Sequence, residues 1–342
     1  MTRRNFLKHS LGAGAVLPLA TPAVAQASTT LRLATTDQAT AEVLATYVGN
    51  ATDGELSIEV TTVSDEQAPG LLADVSGGGN DMCLTGLDNF VGESLAFGLF
   101  ASMPFGMATG ELEGWMHASD GADMLAMLAD RYGVAIQFAG DQGVKPVWSK
   151  QPLPSMSALQ VSAIGSSGLG LTNLQQAGAT NVVDLKTADL ASLDVIDGVG
   201  ASAMAAAGLT DLFPHVTTCN PNTPSSVLSL VAANGVMDGL SDSHKIVISR
   251  ACSAVLNDAR ARSLHESATV FAEQDLTATP MPDDVWQALG ASAQGLLETI
   301  FNEGEDQATI VDSYVYFLTD IAGWSEIGEA AFYKGRQRSL AL

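Results

Sequence analysis

Apolar and polar positions alternate with period two over Thr30–Thr36, where Leu31 and Leu33 share a face, and again over Leu56–Val63. Both stretches predict half-buried strands. Between them Gln38–Asn50 places Ala41, Val43, Leu44 and Tyr47 near helical spacing. Asp81–Thr85 predicts a short strand after the Gly77-Gly78-Gly79 break. The run Phe97–Met103 is apolar and ends at Pro104, which cannot donate to a ladder; it predicts a strand. A tight corner follows at Phe105-Gly106-Met107, with Gly106 suited to positive φ. Thr109 is a candidate helix N-cap, with Glu111 and Glu113 in the first turn where the helix dipole favours negative charge. A helix over Gly121–Arg131 and a strand over Val134–Phe138 complete a β-α rhythm, implying a largely parallel sheet covered on both faces.

The rhythm then repeats. Gly143–Ser149 reads as extended, and Gln151-Pro152-Leu153-Pro154 is a candidate hinge. Strands are predicted over Leu159–Ile164, Asn181–Leu185, Val216–Thr218 and Ser226–Ala232, with helices over Leu169–Ala177, Ala188–Leu193 and Ala201–Leu209. Beyond Gly239 the character turns helical: Ser241 caps a long helix to about Ala272, Pro282 begins another to about Asn302, and Glu305–Tyr333 has few breaks. The expected fold is α/β and bilobal, of the type II binding-protein kind: two mixed sheets flanked by helices, with a long C-terminal spine helix. Lobe I is expected over 28–150 with part of 233–275, and lobe II over 151–232 with part of 276–303. The spine helix occupies 241–275, and helices within 276–342 brace the lobes.

The N-terminus changes the picture of where this chain works. Arg3-Arg4-Asn5-Phe6-Leu7-Lys8 is a twin-arginine pattern, followed by apolar Leu11–Ala20 and the small-residue site Ala23-Val24-Ala25. The apolar run is far shorter than the ~20 residues that span a bilayer. Residues 1–25 are therefore expected to be an export signal cleaved near Ala25, giving a periplasmic protein with no direct membrane insertion. Cleavage takes three positive charges and no acid from a chain of net charge −23, leaving −26 and twelve basic residues. Such a surface repels nucleic-acid phosphates, so no nucleic-acid partner is expected. With 342 residues, 46% of them hydrophobic, the chain is long enough for two domains, each with its own core. Cys83, Cys219 and Cys252 show no CxxC spacing. Either one disulfide forms, most simply Cys219 with Cys252, or all three are reduced core thiols.

The segment Pro104-Phe105-Gly106-Met107, followed by Leu112 and Trp115, resembles the signature of the periplasmic solute-binding proteins of TRAP transporters. Asp81-Met82, Tyr132-Gly133-Val134, Val195-Ile196-Asp197, Gly239-Leu240-Ser241-Asp242 and Trp324-Ser325-Glu326-Ile327 are similar to further family segments. Gly143-Val144-Lys145-Pro146-Val147-Trp148 resembles the family's strand crossing between lobes. The resemblance implies a receptor that closes two lobes on a small polar organic solute, a carboxylate or a relative, and hands it to TRAP permease membrane subunits.

It also implies a site that this chain has altered. The family's carboxylate-binding arginine falls at or near Gly165, and no basic residue lies between Lys150 and Lys186. The family's acid–tryptophan pair falls at Gly200-Ala201, a tryptophan near Asn220, and a tyrosine within Leu87-Asp88-Asn89-Phe90. Lys145 stands on a pocket position, where an ammonium acts as a point charge toward a carboxylate; strand alternation leaves a surface lysine equally open. Ser166 and Ser167, at the start of helix Leu169–Ala177, form either an anion cradle or an ordinary capped end. Phe105 and Trp148 are candidate apolar walls of the cleft, while Phe90, Trp286 and Trp324 read as core. Asp197 and Asp88 have the chemistry to hold a cation, but isolated acids in so acidic a chain are mostly solvated, and neither a metal nor a cofactor is expected.

Catalysis lacks a signature. His117, His215, His244 and His265 form no HExxH pair, no G-x-S-x-G elbow occurs, and Gly165-Ser166-Ser167-Gly168-Leu169-Gly170 is neither a dinucleotide fingerprint nor a P-loop. The expected class is a solute receptor and not an enzyme. Two other classes stay open: a sensory or protein-interaction descendant that has lost transport, and a periplasmic enzyme.

Overall fold

The computed structural model describes residues 28–153 and 155–340. The expected export signal, its cleavage site and Pro154 of the candidate hinge lie outside the described residues. Among the described residues eleven strands form two sheets. In chain order they are β1 (Thr29–Thr35), β2 (Leu56–Thr62), β3 (Met82–Gly86), β4 (Val134–Asp141), β5 (Val147–Ser149), β6 (Ile164–Ser166), β7 (Val182–Asp184), β8 (Val195–Asp197), β9 (His215–Thr217), β10 (Val227–Ala233) and β11 (Thr277–Thr279). The first sheet has the order β2-β1-β3-β10-β4 and the second β11-β9-β5-β8-β6-β7.

Each sheet is mixed because one strand crosses into it from the other half of the chain. β5 leaves the first lobe and pairs antiparallel with β8 and β9. β10 returns and pairs antiparallel with both β3 and β4. A boundary at 150 and 232 therefore misplaces both strands. Every residue of β10 but the last is buried, as expected for a central strand covered on both faces. That mostly apolar run, broken by Ser229, carries no mark of which sheet receives it.

Helix Asp242–Glu273 is the spine. Ser241 Oγ accepts from His244 N at 3.2 Å, supplying the N-cap. Its 32 residues extend about 48 Å, far enough to pack on β4 and helix Gln38–Ala51 in lobe I and on helix Ala201–Ala206 in lobe II. Helix Asp283–Phe301 is a second bridge: Val285 and Leu289 join the core of lobe II, and Leu296 and Ile300 that of lobe I. Where the chain leaves β4 toward β5, Arg260 of the spine reaches Asp141 Oδ2 at 3.0 Å and Glu113 Oε1 at 2.8 Å. Asp141 Oδ1 in turn accepts from Gly143 N at 2.8 Å. Gly143 has φ +77°, and an added Cβ would lie 2.1 Å from Ser263 Oγ, so both backbone and space require glycine there.

The Phe97–Met103 run is not a strand. Leu95–Phe100 forms a 3₁₀ helix whose Phe97, Leu99 and Phe100 are buried in the lobe I core. A short apolar run is consistent with either form, and here burial on all sides replaces sheet pairing. Phe105, and not Gly106, takes positive φ, at +57°. Its N–H donates to Pro221 O at 2.6 Å, which anchors the corner to the chain entering β10. Gly106 is needed for close approach instead: an added Cβ would lie 2.1 Å from the Tyr314 hydroxyl. That hydroxyl accepts from Met107 N at 2.9 Å. Ala108, not Thr109, occupies the cap position, and Glu111 reaches back to its N–H at 3.0 Å. Tyr314→Phe leaves the buried Met107 N–H unpaired; a loss of about 1–3 kcal/mol is expected, read as a lower chemical-denaturation midpoint with unchanged slope.

Other local expectations shift for similar reasons. Leu159–Ile164 divides into a helical turn, Met156–Leu159, and β6, and Ala188–Leu193 shrinks to a 3₁₀ turn over Leu190–Ser192. All three cysteines are free: Cys83 and Cys252 are buried in separate clusters and Cys219 is half-buried. Burial pushes the Cys252 thiol up to about 12, so it is protonated and unreactive at neutral pH. Phe90 is core as expected, Trp286 is partly buried against Phe105, and Trp324 is 66% exposed. No helix among the described residues is long and apolar enough to cross a membrane.

Candidate functional site

The site lies between the two sheets, where the crossing segments pass. Loop Leu87–Phe90 after β3 and Ser102 after the 3₁₀ helix contribute from lobe I. The start of helix Gly168–Gln176 and Gly198 after β8 contribute from lobe II. Lys145 and the segment Asn222–Ser226 come from the two crossings themselves. Together they surround a cavity of about 100 Å³, room for several waters or a small solute. The lobes touch beside it. Leu169 of lobe II is buried in the lobe I core, where an added Cβ on Gly98 would lie 2.2 Å from its Cδ1. A larger residue at position 98 would press on the Leu169 side chain at this contact.

Lys145 carries the electrostatics. It keeps some accessible surface, yet protein packs densely around it and desolvation lowers its pKa below the usual 10.5. Asp88, Asp141, Asp197 and Asp65 oppose that shift without cancelling it. Among the described residues, the Lys145 ammonium is within 4.0 Å of no carboxylate. Ser102 Oγ is also buried in the cavity wall without a hydrogen-bond partner. An under-solvated cation and an orphaned hydroxyl in one small cavity make a site that an anionic, hydrogen-bonding solute would satisfy.

Below the cavity lies a polar hub. Asp197, 2% exposed at the end of β8, accepts from Asn220 Nδ2 at 2.7 Å and Thr223 Oγ1 at 3.1 Å through Oδ1. Its Oδ2 accepts from Ser166 Oγ at 2.8 Å and Asn222 Nδ2 at 2.5 Å. Asn220 Nδ2 also donates to Lys145 O at 2.8 Å, tying the hub to the lysine's backbone. Four donors saturate this carboxylate, which leaves it no free lone pair directed at a cation. Among the described residues no group of three His, Cys, Asp or Glu side chains is placed to hold a metal.

The sequence-derived candidates thus separate. Lys145 and Asn89 line the cavity. Ser166, Asp197 and Asn220 lie in the hub beneath it. Gly165 is buried within β6, where a Cβ would meet Leu193 and Leu185 side chains at 2.5 and 2.6 Å; no longer side chain fits and the position does not face the cavity. Trp148 is fully buried in the lobe II core, donating Nε1–H to Val199 O at 2.8 Å. Phe105 packs edge-on against Trp286 at 5.3 Å, pinning the corner to lobe II and away from the cavity. Ser102, Gln142, Asn222, Thr223 and Ser225, which also line the cavity, were not singled out by sequence. One signal marks most of them: the run Cys219-Asn220-Pro221-Asn222-Thr223-Pro224-Ser225-Ser226, rich in amides and hydroxyls and stiffened by two prolines, directly before an apolar strand.

Solved structures share this architecture. A TRAP periplasmic solute-binding protein from Colwellia psychrerythraea, with bound calcium and pyruvate, superimposes with a TM-score of 0.84 over 90% of this chain and 99% of its own, at 20% identity. One from Bordetella bronchiseptica RB50, with calcium and picolinate, gives 0.83 over 92% and 98% at 18% identity. One from Pseudoalteromonas atlantica T6c, with sodium and pyruvate, gives 0.82 over 90% and 99% at 20% identity. This chain has the TRAP solute-binding fold. No protein-family model and no curated protein matches the sequence. The likeness is therefore one of fold, and the site has to be read from this chain's own side chains.

Proposed function

We propose that this chain is an extracytoplasmic solute receptor, exported by the twin-arginine route and cleaved near Ala25. It closes its lobes on a small polar organic solute bearing a carboxylate, performs no chemistry on it, and delivers it to the membrane permease subunits of a TRAP-type transporter. The observation that carries this reading is the Lys145 ammonium, without a counter-ion among the described residues, in a small polar cavity between two lobes joined by crossing strands and a continuous spine. Crossing strands and long bridging helices are suited to hinge closure, because a few residues around Asp141–Gly143 absorb the rotation. Lys145 supplies the cation that the resemblance places at Gly165, a position that does not face the cavity.

The test is a melting shift of the mature chain against pyruvate, lactate, small amino acids and neutral polyols. A bound solute at 100 times its Kd stabilises by about 2.7 kcal/mol, so carboxylates are expected to raise Tm by several degrees and polyols to leave it unmoved. A flat response to every compound counts against the receptor; turnover of any of them would favour an enzyme.

A further inference from the structure

The cavity holds a second uncompensated charge. Asp88, on the loop after β3, lines the same space as Lys145. Among the described residues its carboxylate joins no ion pair, and of the acids acting on Lys145 it exerts the strongest attraction. The other acids near the lysine are occupied or distant from the cavity. Asp197 is saturated by four donors, Asp141 is held by Arg260 and Gly143 N–H, and Asp65 does not line the cavity. Asp88 and Lys145 are thus opposite charges in one enclosure, more than 4.0 Å apart, each without a partner.

We propose that the solute is a small zwitterion of α-amino-acid size, whose carboxylate meets Lys145 and whose N–H-bearing ammonium meets Asp88. This rests on the receptor reading above and names its substrate class. A simple carboxylate would satisfy the lysine while lying against an unpaired Asp88, and like charges in a desolvated site repel. A zwitterion neutralises both ends at once. Neighbouring groups agree with the polarity: Asn89 uses its Nδ2 on Thr85 Oγ1 at 2.8 Å and Gly86 O at 3.1 Å, leaving Oδ1 as an acceptor beside Asp88. The size agrees as well, since about 100 Å³ leaves room for a solute as small as glycine, alanine or proline. The geometry of Asp88 is constrained from both lobes, because an added Cβ on Gly168 would lie 2.9 Å from Asp88 Cβ. The acid therefore sits against lobe II as well as on its own lobe.

Titration calorimetry on the mature chain tests this with glycine, L-alanine and L-proline as zwitterions, lactate and pyruvate as anions, and ethanolamine as a cation. At least one zwitterion is expected to bind about tenfold or more tighter than either anion, a difference of 1.4 kcal/mol or more, and ethanolamine more weakly still. Asp88→Asn is expected to reverse the order, weakening the amino acid and tightening lactate; that gain also shows that the variant is folded. Lactate or pyruvate binding as tightly as every amino acid tested would overturn the zwitterion and leave the receptor reading intact. Asp88→Asn weakening both classes alike would overturn it too. Silence across all six compounds would remove both proposals together.

Discussion

Lys145→Met is expected to abolish binding of small carboxylates and, at the same time, to make the ligand-free protein more stable. Both effects follow from one fact: the wild-type chain places an ammonium where protein crowds it and no counter-ion touches it. Removing one member of a desolvated ionic contact costs about 2–5 kcal/mol of binding, so the solute that binds wild type best should lose at least about thirtyfold in affinity. In the empty protein the same ammonium is a liability, and methionine fills its volume without a polar group. A gain of roughly 1–3 kcal/mol is expected, the range for relieving an unpaired buried polar group, seen as a raised midpoint in chemical denaturation.

The pH dependence has a definite sign. Burial lowers the folded-state pKa of Lys145 below its ordinary 10.5, so the folded chain loses this proton before the unfolded chain does. The destabilisation is fully present below the folded pKa and is relieved as pH rises from there to 10.5. The stability gap between Lys145→Met and wild type should therefore narrow across that alkaline window. Solute affinity moves the other way, because the carboxylate needs the ammonium: it falls as pH climbs through the same pKa. A Lys145→Met protein that binds as wild type does, or that melts below it, would show the lysine to be a solvated surface charge.

Most of the fold was legible in the sequence because strands and helices here are specified locally. The alternation around Leu31 and Leu33, the Ser241 cap and the corner before Trp115 each report a nearby physical requirement. What sequence could not supply was the partner. Ser226–Ala232 reads as a strand, which the structure places over Val227–Ala233, yet nothing in a mostly apolar run says which sheet it completes. Residues 97–100 read as a strand because burial on every side and burial in a sheet leave the same composition. Trp324 read as core from its type alone and is exposed. For the site, the family resemblance located Lys145 and the Asp197 region, but it also pointed to Gly165, Trp148 and Phe105, which pack elsewhere. The hydroxyls and amides at Ser102 and Asn222–Ser225 are short polar residues on loops, and only folding brings them to one cavity.

Asp197→Ala is expected to be the most destabilising substitution at the site, even though Asp197 looked in sequence like a ligand contact. In the structure it is the acceptor that organises the floor of the cavity. Ser166, Asn220, Asn222 and Thr223 all donate to it, and the three asparagines of the hub are further linked, with Asn173 Nδ2 donating to Asn222 Oδ1 at 2.9 Å. Alanine leaves four donors facing an empty, dry space, each costing about 1–3 kcal/mol if no water replaces the acceptor. Partial relaxation keeps the total to roughly 3–5 kcal/mol, and a large drop in Tm follows. Asp197→Asn should also destabilise, since its amide turns two hydrogens toward groups that are themselves donors. Ser166→Ala removes a donor and leaves the acceptor three others, so about 1 kcal/mol is expected. This ordering separates scaffold from ligand contact. A residue that only touched solute would lose binding at unchanged Tm, and that result for Asp197→Ala would place the carboxylate in the binding surface instead of beneath it. Because Asn220 also holds the Lys145 carbonyl, loosening the hub should weaken solute binding in any variant that still folds, in proportion to its drop in Tm.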